Sequence, residues 1–150
     1  MVILRKFEAS DSALVSSKLN LSLEKAKSII DTWNSGCHNG VYFEMFAIQS
    51  ENTLVGMISL YEHSGSILSI GPEIFEEYQR HGFAKAAMTE AMRIAEEKKY
   101  RIIFQQIRTN NAASIRLHES LGFERDSNIF KNKKRKRRLY LLKSPLTKPG

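Results

Sequence analysis

The sequence predicts a mixed α/β domain rather than a doubly wound one. Three strand-like runs, residues 42–49, 53–61 and 67–75, follow one another with no crossover helix between them. A long amphipathic segment then alternates with further strands, giving the order β-α-α-β-β-β-α-β-α-β-β. No internal repeat, Gly/Ser linker or Pro-rich break interrupts the 150 residues, so one domain, 1–150, is expected.

Each element has a local reason. Residues 2–7 read as a short strand, and Ser10-Asp11-Ser12 supplies helix-start chemistry ahead of Ala13-Leu14-Val15. A second helix begins at Ser22, with Ile29, Ile30 and Trp33 on its apolar side. Residues 34–40 are loop, and Glu51-Asn52 and His63-Ser64-Gly65 are the turns between the three strands. From residue 83 to about 99 the positions Ala84, Ala87, Met88, Ala91 and Ala95 follow helical spacing, with Lys98-Lys99 at the negative end of the helix dipole. Residues 101–107 form a buried strand, and 111–121 a helix ended by Gly122. Two last strands, 123–130 and 138–143, form a hairpin around the basic tip 131–137.

Composition narrows the function. The lone Cys37 cannot form an internal disulfide, residues 1–10 hold no long apolar stretch, and no run is apolar enough to span a bilayer. These features exclude a disulfide scaffold, a secreted precursor and a membrane protein, and make the cytoplasm the expected location. The net charge of +7 is uneven: residues 1–75 carry five Lys and Arg against eight Asp and Glu, and residues 76–150 carry eighteen against eight. The basic half calls for an anionic partner: nucleic acid, an acidic surface or a polyphosphate-bearing cofactor. No metal site is expected, because His38, His63, His81 and His118 lack ligand spacing with each other or with Cys37.

Between the third strand and the long helix lies Glu77-Tyr78-Gln79-Arg80-His81-Gly82-Phe83-Ala84. A strand feeding a helix through such a turn leaves several backbone N–H groups aimed at one point, reinforced by the helix dipole. Gly82 alone is also explained by a tight turn. The glycine patterns of nucleotide and dinucleotide loops are missing. The strand, the Gln79-Arg80-x-Gly82-x-Ala84 turn and the helix instead resemble the pyrophosphate-binding motif of the GNAT superfamily of N-acetyltransferases, whose backbone amides hold the diphosphate of acetyl-CoA. Pro72 adds to this, since a proline inside a strand belongs at an edge, a bulge or a place where pairing stops. In the family that the chain resembles, the equivalent strand bulges and splays from its parallel neighbour, and the pantetheine arm enters that wedge; here Gly71 and Pro72 stand at the expected splay. A harmless edge-strand proline is the alternative.

The second motif is Asn111-Ala-Ala-Ser114-Ile-Arg-Leu-His118-Glu-Ser-Leu-Gly122-Phe123. At about 100° per residue, Asn111 and His118 fall about 20° apart and Ser114 about 60° from Asn111, so the three share one side, which is expected to face a ligand. The stretch resembles the second GNAT motif, and its distance of about 30 residues from the first fits as well. Helix capping by Asn111 and Gly122 is compatible with this but does not explain two motifs in order. The subgroup most similar holds ribosomal-protein alanine N-acetyltransferases. The resemblance implies a GNAT-like fold, a mostly antiparallel sheet of six to seven strands with a central splayed parallel pair and about four helices. It implies acetyl-CoA as donor, bound by Ile74, Phe75, Gln79, Arg80, His81, Gly82, Phe83, Ala84, Asn111 and Ser114.

The activity so implied is transfer of an acetyl group to a primary amine, of a small molecule or a protein N-terminus, by direct attack in a ternary complex. His118 stands where the family most often has a tyrosine beside the thioester sulfur. Histidine, with an ordinary pKa near 6.5 against about 10 for tyrosine, acts there as the acid, orients the sulfur, or merely packs. Glu73, on the splayed strand, is the first candidate for the base by resemblance in position. Glu44, Glu62 and His63 are alternatives, and a backbone N–H near Ile74 is the expected oxyanion donor.

Residues 131–138 place seven cations in eight positions. A solvated tip is favoured over a nucleic-acid or ribosome contact, because no aromatic side chain is interleaved to stack on bases. In the family this hairpin flanks the acceptor site, where it would disfavour a polycation. Two rival readings remain: a non-catalytic nucleic-acid- or ribosome-binding module using 131–138, and a CoA-binding regulatory protein without turnover. The acceptor and a homodimer are left open.

Overall fold

A computed structural model describes residues 1–131 and 137–143, from residue 126 onward by backbone alone. Most of the basic run 131–138 lies outside the described residues. Strand β1 (Val2–Lys6) leads to helices α1 (Ser12–Leu19) and α2 (Leu23–Asn34), then the two-residue β2 (Cys37–His38) and the meander β3 (Val41–Ser50), β4 (Thr53–Ser64) and β5 (Ile67–Ile74). Helix α3 (Phe83–Glu97), strand β6 (Ile102–Arg108), helix α4 (Ala112–Ser120) and strands β7 (Glu124–Lys131) and β8 (Arg137–Lys143) follow. Among the described residues no helix is long and apolar enough to cross a membrane.

The strands lie in the order β1-β3-β4-β5-β6-β8-β7, with β2 beside β3. Every neighbouring pair is antiparallel except β5 and β6, whose parallel ladder holds only Ile67 opposite Ile102 and Leu68 opposite Ile103. Beyond Leu68 the two strands part. The mixed sheet, the splayed central pair and the four helices match the expected architecture.

Alternation along the strands buries both faces. Phe46, Ile48, Ile58, Leu60, Leu68 and Ile70 pack beneath Ala87, Met88, Ala91 and Ala95 of α3. On the other face Ala47 and Met57 meet Val15 of α1 and Ala26, Ile30 and Trp33 of α2. Ser22 starts α2 as foreseen, its hydroxyl accepting the Lys25 N–H at 3.1 Å. Three residues depart from expectation at the end of β4, which runs on to Ser64 instead of turning at His63. The register slips there, Glu62 facing Leu68 and Ser64 facing Ile67, so His63 is the extra residue of a bulge.

Candidate functional site

Main-chain direction along β5 decides what its open edge offers. The Phe75 N–H donates to Val55 O at 3.0 Å, and the register from Gly56–Ile74 to Leu60–Ile70 is unbroken. Antiparallel alternation therefore turns the N–H and C=O groups of residues 71, 73 and 75 toward β4, and those of 70, 72 and 74 toward the gap beside β6. This explains Pro72. Its missing N–H falls on the gap side, where no ladder bond is lost.

The gap has an occupant at its closed end. The Gln105 side chain spans it, its Oε1 accepting the Ile70 N–H at 2.9 Å and its Nε2 donating to Ile70 O. The same Nε2 lies 3.1 Å from His118 Nε2. Toward the open end the Gln79 amide donates to Ile74 O at 3.1 Å. The Pro72 carbonyl and the Ile74 N–H remain as main-chain groups on this edge with no side-chain partner among the described residues.

Two clefts adjoin that edge. The first, of about 230 Å³, is lined by Ile74, Tyr78, Gln79, Arg80, Gly82, Phe83, Ala84, Lys85 and, from α4, Leu117. Arg80 (φ 67°) and Gly82 (φ 79°) are both left-handed, a backbone alternation that forms anion-binding concavities. The first intrahelical bond of α3 runs from the Ala86 N–H to Gly82 O at 3.2 Å, so the preceding amides are orphan donors. Nothing lies within 4 Å of the place a Gly82 Cβ would take. His81 folds back, its Nδ1 2.8 Å from Gln79 O, and stacks on Phe83. A diphosphate thus meets open space and unpaired N–H groups, and the site fits such a group.

The second cleft, of about 280 Å³, opens at the other end of the gap. It is lined by Ser59, Tyr61, His63, Ser69, Ile70, Gly71, Phe104, Gln105 and Gln106. Ser59 and Tyr61 continue the β4 alternation of Met57, which places this cleft on the sheet face carrying α1 and α2.

The remaining expected residues divide. Asn111 caps α4, its Oδ1 accepting the Ser114 N–H at 3.1 Å, and is exposed, leaving its amide N–H₂ outward. Phe75 is a correction to the expected cofactor set. Its ring is buried against the α1–α2 face, its N–H is spent on Val55, and its C=O accepts from Tyr78. Glu73 is exposed, on the strand face of Ser69 and Gly71, but does not line the second cleft. Glu44 and Glu62 accept the hydroxyls of Tyr42 at 2.8 Å and Tyr100 at 2.6 Å. Burial first, then these carboxylates, push both phenols well above the ordinary tyrosine value.

His118, on the helix side expected to face a ligand, lies inside the core. It is 3% exposed, packed edge-on against Phe123 at 4.9 Å between ring centres. Its Nδ1 donates to Ser114 O at 2.7 Å, so the neutral ring presents a lone pair at Nε2, which accepts from Gln105. Of the three readings of this residue, the packing one fits this geometry. Burial holds its pKa below the ordinary value, with the Ser114 carbonyl partly opposing. The unfolded chain therefore takes the proton first. The stabilisation is full above the ordinary value near 6.5 and is lost as pH falls toward the lower folded value. Urea midpoints are expected to drop between pH 7 and 5, and His118→Phe to flatten that slope; an equal slope in both proteins would remove His118 as its source.

Sequence reasoning missed Gln105 altogether. The signal was present: Ile103, Gln105 and Ile107 alternate on one buried face, and a polar side chain at a core position needs partners.

Comparison with known proteins agrees with this architecture. A model of the acetyltransferase (GNAT) domain matches residues 2–124. The SPbeta prophage-derived uncharacterized N-acetyltransferase YokL of Bacillus subtilis is 27% identical over 128 residues, 83% of this chain and 72% of that one. The ribosomal-protein-alanine N-acetyltransferase of Brucella melitensis superposes with a TM-score of 0.75 at 19% identity, over 95% of this chain and 99% of that one. The spermidine N-acetyltransferase of Vibrio cholerae, solved with CoA and spermine, gives 0.76 at 16% identity, over 96% and 95%. Since the domain model spans most of the 150 residues, this chain belongs to the GNAT acetyltransferase family.

Proposed function

We propose that the protein moves an acetyl group from acetyl-CoA to a primary amine by direct attack while both are bound. The observation that supports this best is the edge of β5, which carries an open N–H at Ile74 and an open C=O at Pro72 between the two clefts. Acetyl-CoA is the acetyl donor, and it supplies an acyl group already activated as a thioester.

The chain's own groups then have distinct tasks. The amides of Gly82, Phe83 and Ala84 bind the diphosphate at the start of α3, with Arg80 and His81 beside them. Pro72 O and the Ile74 N–H align the pantetheine arm as a surrogate strand, and Gln79 holds the end of that edge. The Asn111 amide reaches the same arm from α4, and Ser114 lies one turn further on. His118 serves as a positioning residue, holding Gln105 across the gap. Glu44 and Glu62 are committed to phenols, and Glu73 does not line the second cleft, so none of the three is assigned as the base.

Melting with ligand tests this reading. Acetyl-CoA at 100 times its Kd is expected to stabilise the protein by about 2.7 kcal/mol, on the order of 5–10 °C, and the shift survives moderate salt. No shift with acetyl-CoA, together with a salt-sensitive shift on a short RNA, would favour a nucleic-acid-binding module instead.

A further inference from the structure

The second cleft holds a side-chain relay that no step above uses. Ser69 Oγ donates its only hydrogen to Phe104 O, and His63 Nε2 lies 2.6 Å from the same Oγ. With that hydrogen spent, the Oγ is an acceptor, and His63 Nε2 must be the donor. The neutral ring is thereby held in the Nε2–H tautomer, and its Nδ1 carries a bare lone pair. No hydrogen-bond partner of Nδ1 is found among the described residues. Three further observations bear on what it can do. His63 is the extra residue of the β4 bulge, a device that re-aims a side chain. Its ring is fixed edge-on between Tyr61 at 5.3 Å and Phe104 at 5.9 Å. Among the described residues the cleft these rings wall is lined otherwise by hydroxyls, amides and backbone, with no carboxylate.

Resting on the reading of acetyl transfer above, we infer that this cleft takes the amine acceptor, carried on a flat or apolar body, and that His63 Nδ1 is the general base. As the nitrogen forms its bond to the acyl carbon and the C–S bond breaks, Nδ1 takes one proton from the nitrogen. His63 then returns that proton to solvent, and the departing thiolate takes one proton from solvent, which closes the balance. Ser69 is a positioning residue, acting only through the imidazole tautomer. Aromatic walls suit a single amine on a ring, and among the described lining residues a polyamine's second charge finds no carboxylate to pair with.

The tautomer is readable without turnover, from long-range proton–nitrogen correlation spectra of the ¹⁵N-histidine-labelled protein. The expected result is an Nε2-protonated neutral ring at His63 that becomes a tautomer mixture in Ser69→Ala and is restored in Ser69→Thr; an Nδ1-protonated ring in the wild-type protein would overturn the assignment. With phenethylamine and an alanine-initiated peptide as amine probes, His63→Gln is expected to lower kcat by about 100-fold or more while the acetyl-CoA Kd stays within twofold. A kcat within twofold of wild type would overturn it as well. Failure of the broader reading shows separately, as absence of the acetyl-CoA melting shift in the wild-type protein.

Discussion

Gln105→Leu is expected to lower the unfolding free energy by about 3 kcal/mol or more, a large share of the roughly 5–15 kcal/mol typical of a domain. Leucine is similar in size and would gain about 1 kcal/mol of apolar burial at a site only 6% exposed. That gain is outweighed, because two of the three partners are main chain and cannot be mutated away. Ile70 N–H, Ile70 O and His118 Nε2 would all be left unpaired in a buried setting. Each orphaned group costs about 1–3 kcal/mol. Urea unfolding at pH 7.5 measures the loss; a change below about 0.5 kcal/mol, the usual range for surface substitutions, would mean that water from the adjoining cleft replaces the amide at no cost.

Gly56→Ala is the second substitution expected to do serious damage. Gly56 faces Ile74 across the β4–β5 ladder, and a Cβ there would sit 2.3 Å from Glu73 O and 3.0 Å from Ile74 Cα. Both are backbone atoms, so no rotamer relieves the overlap and β5 itself has to move. Overpacking of this kind costs about 1–3 kcal/mol, equivalent to several degrees of melting temperature. The same displacement carries the Pro72 carbonyl and the Ile74 N–H with it, so acetyl-CoA affinity by calorimetry is expected to fall about tenfold or more. Gly71→Ala provides the contrast. Its Cβ would lie 2.8 Å from Ser59 Oγ, a side-chain atom that can rotate away. Equal melting temperatures for Gly56→Ala and wild type would show that β5 shifts freely.

What was legible in the sequence is what is local. The period of Ala87, Met88, Ala91 and Ala95 gives α3, and the turn before it is built from consecutive residues, so six of the first cleft's nine lining residues could be foreseen, but not Tyr78, Lys85 or Leu117. Phe75 escaped because its N–H goes to Val55, twenty positions earlier. Gln105 escaped because its partners Ile70 and His118 are 35 and 13 positions away. His118 illustrates a subtler limit. A helical wheel correctly sets it at the azimuth of Asn111, yet seven residues at 1.5 Å separate them by about 10 Å along the axis. At that distance one end of the side is exposed and the other is inside the core. His63 carried turn composition with Ser64 and Gly65, and only pairing with β5 reveals that it belongs to a strand.

The two-residue parallel ladder means that the sheet consists of two leaves, and chain order respects the seam between them. Strands β1 to β5 precede α3, strands β6 to β8 follow it, and no strand inserts into the other leaf. Residues 1–100 hold ten Lys and Arg against thirteen Asp and Glu, whereas residues 101–150 hold thirteen against three. The protein is therefore divisible at a single peptide bond into two fragments of opposite net charge. Each fragment keeps its own antiparallel ladder, and mutual attraction favours their reassembly. The surfaces they would bring together are the walls of the gap and the core that Ile103, Ile107, Ile115 and Phe123 complete beneath α3, so ligand binding in the gap would add a clasp to a split protein.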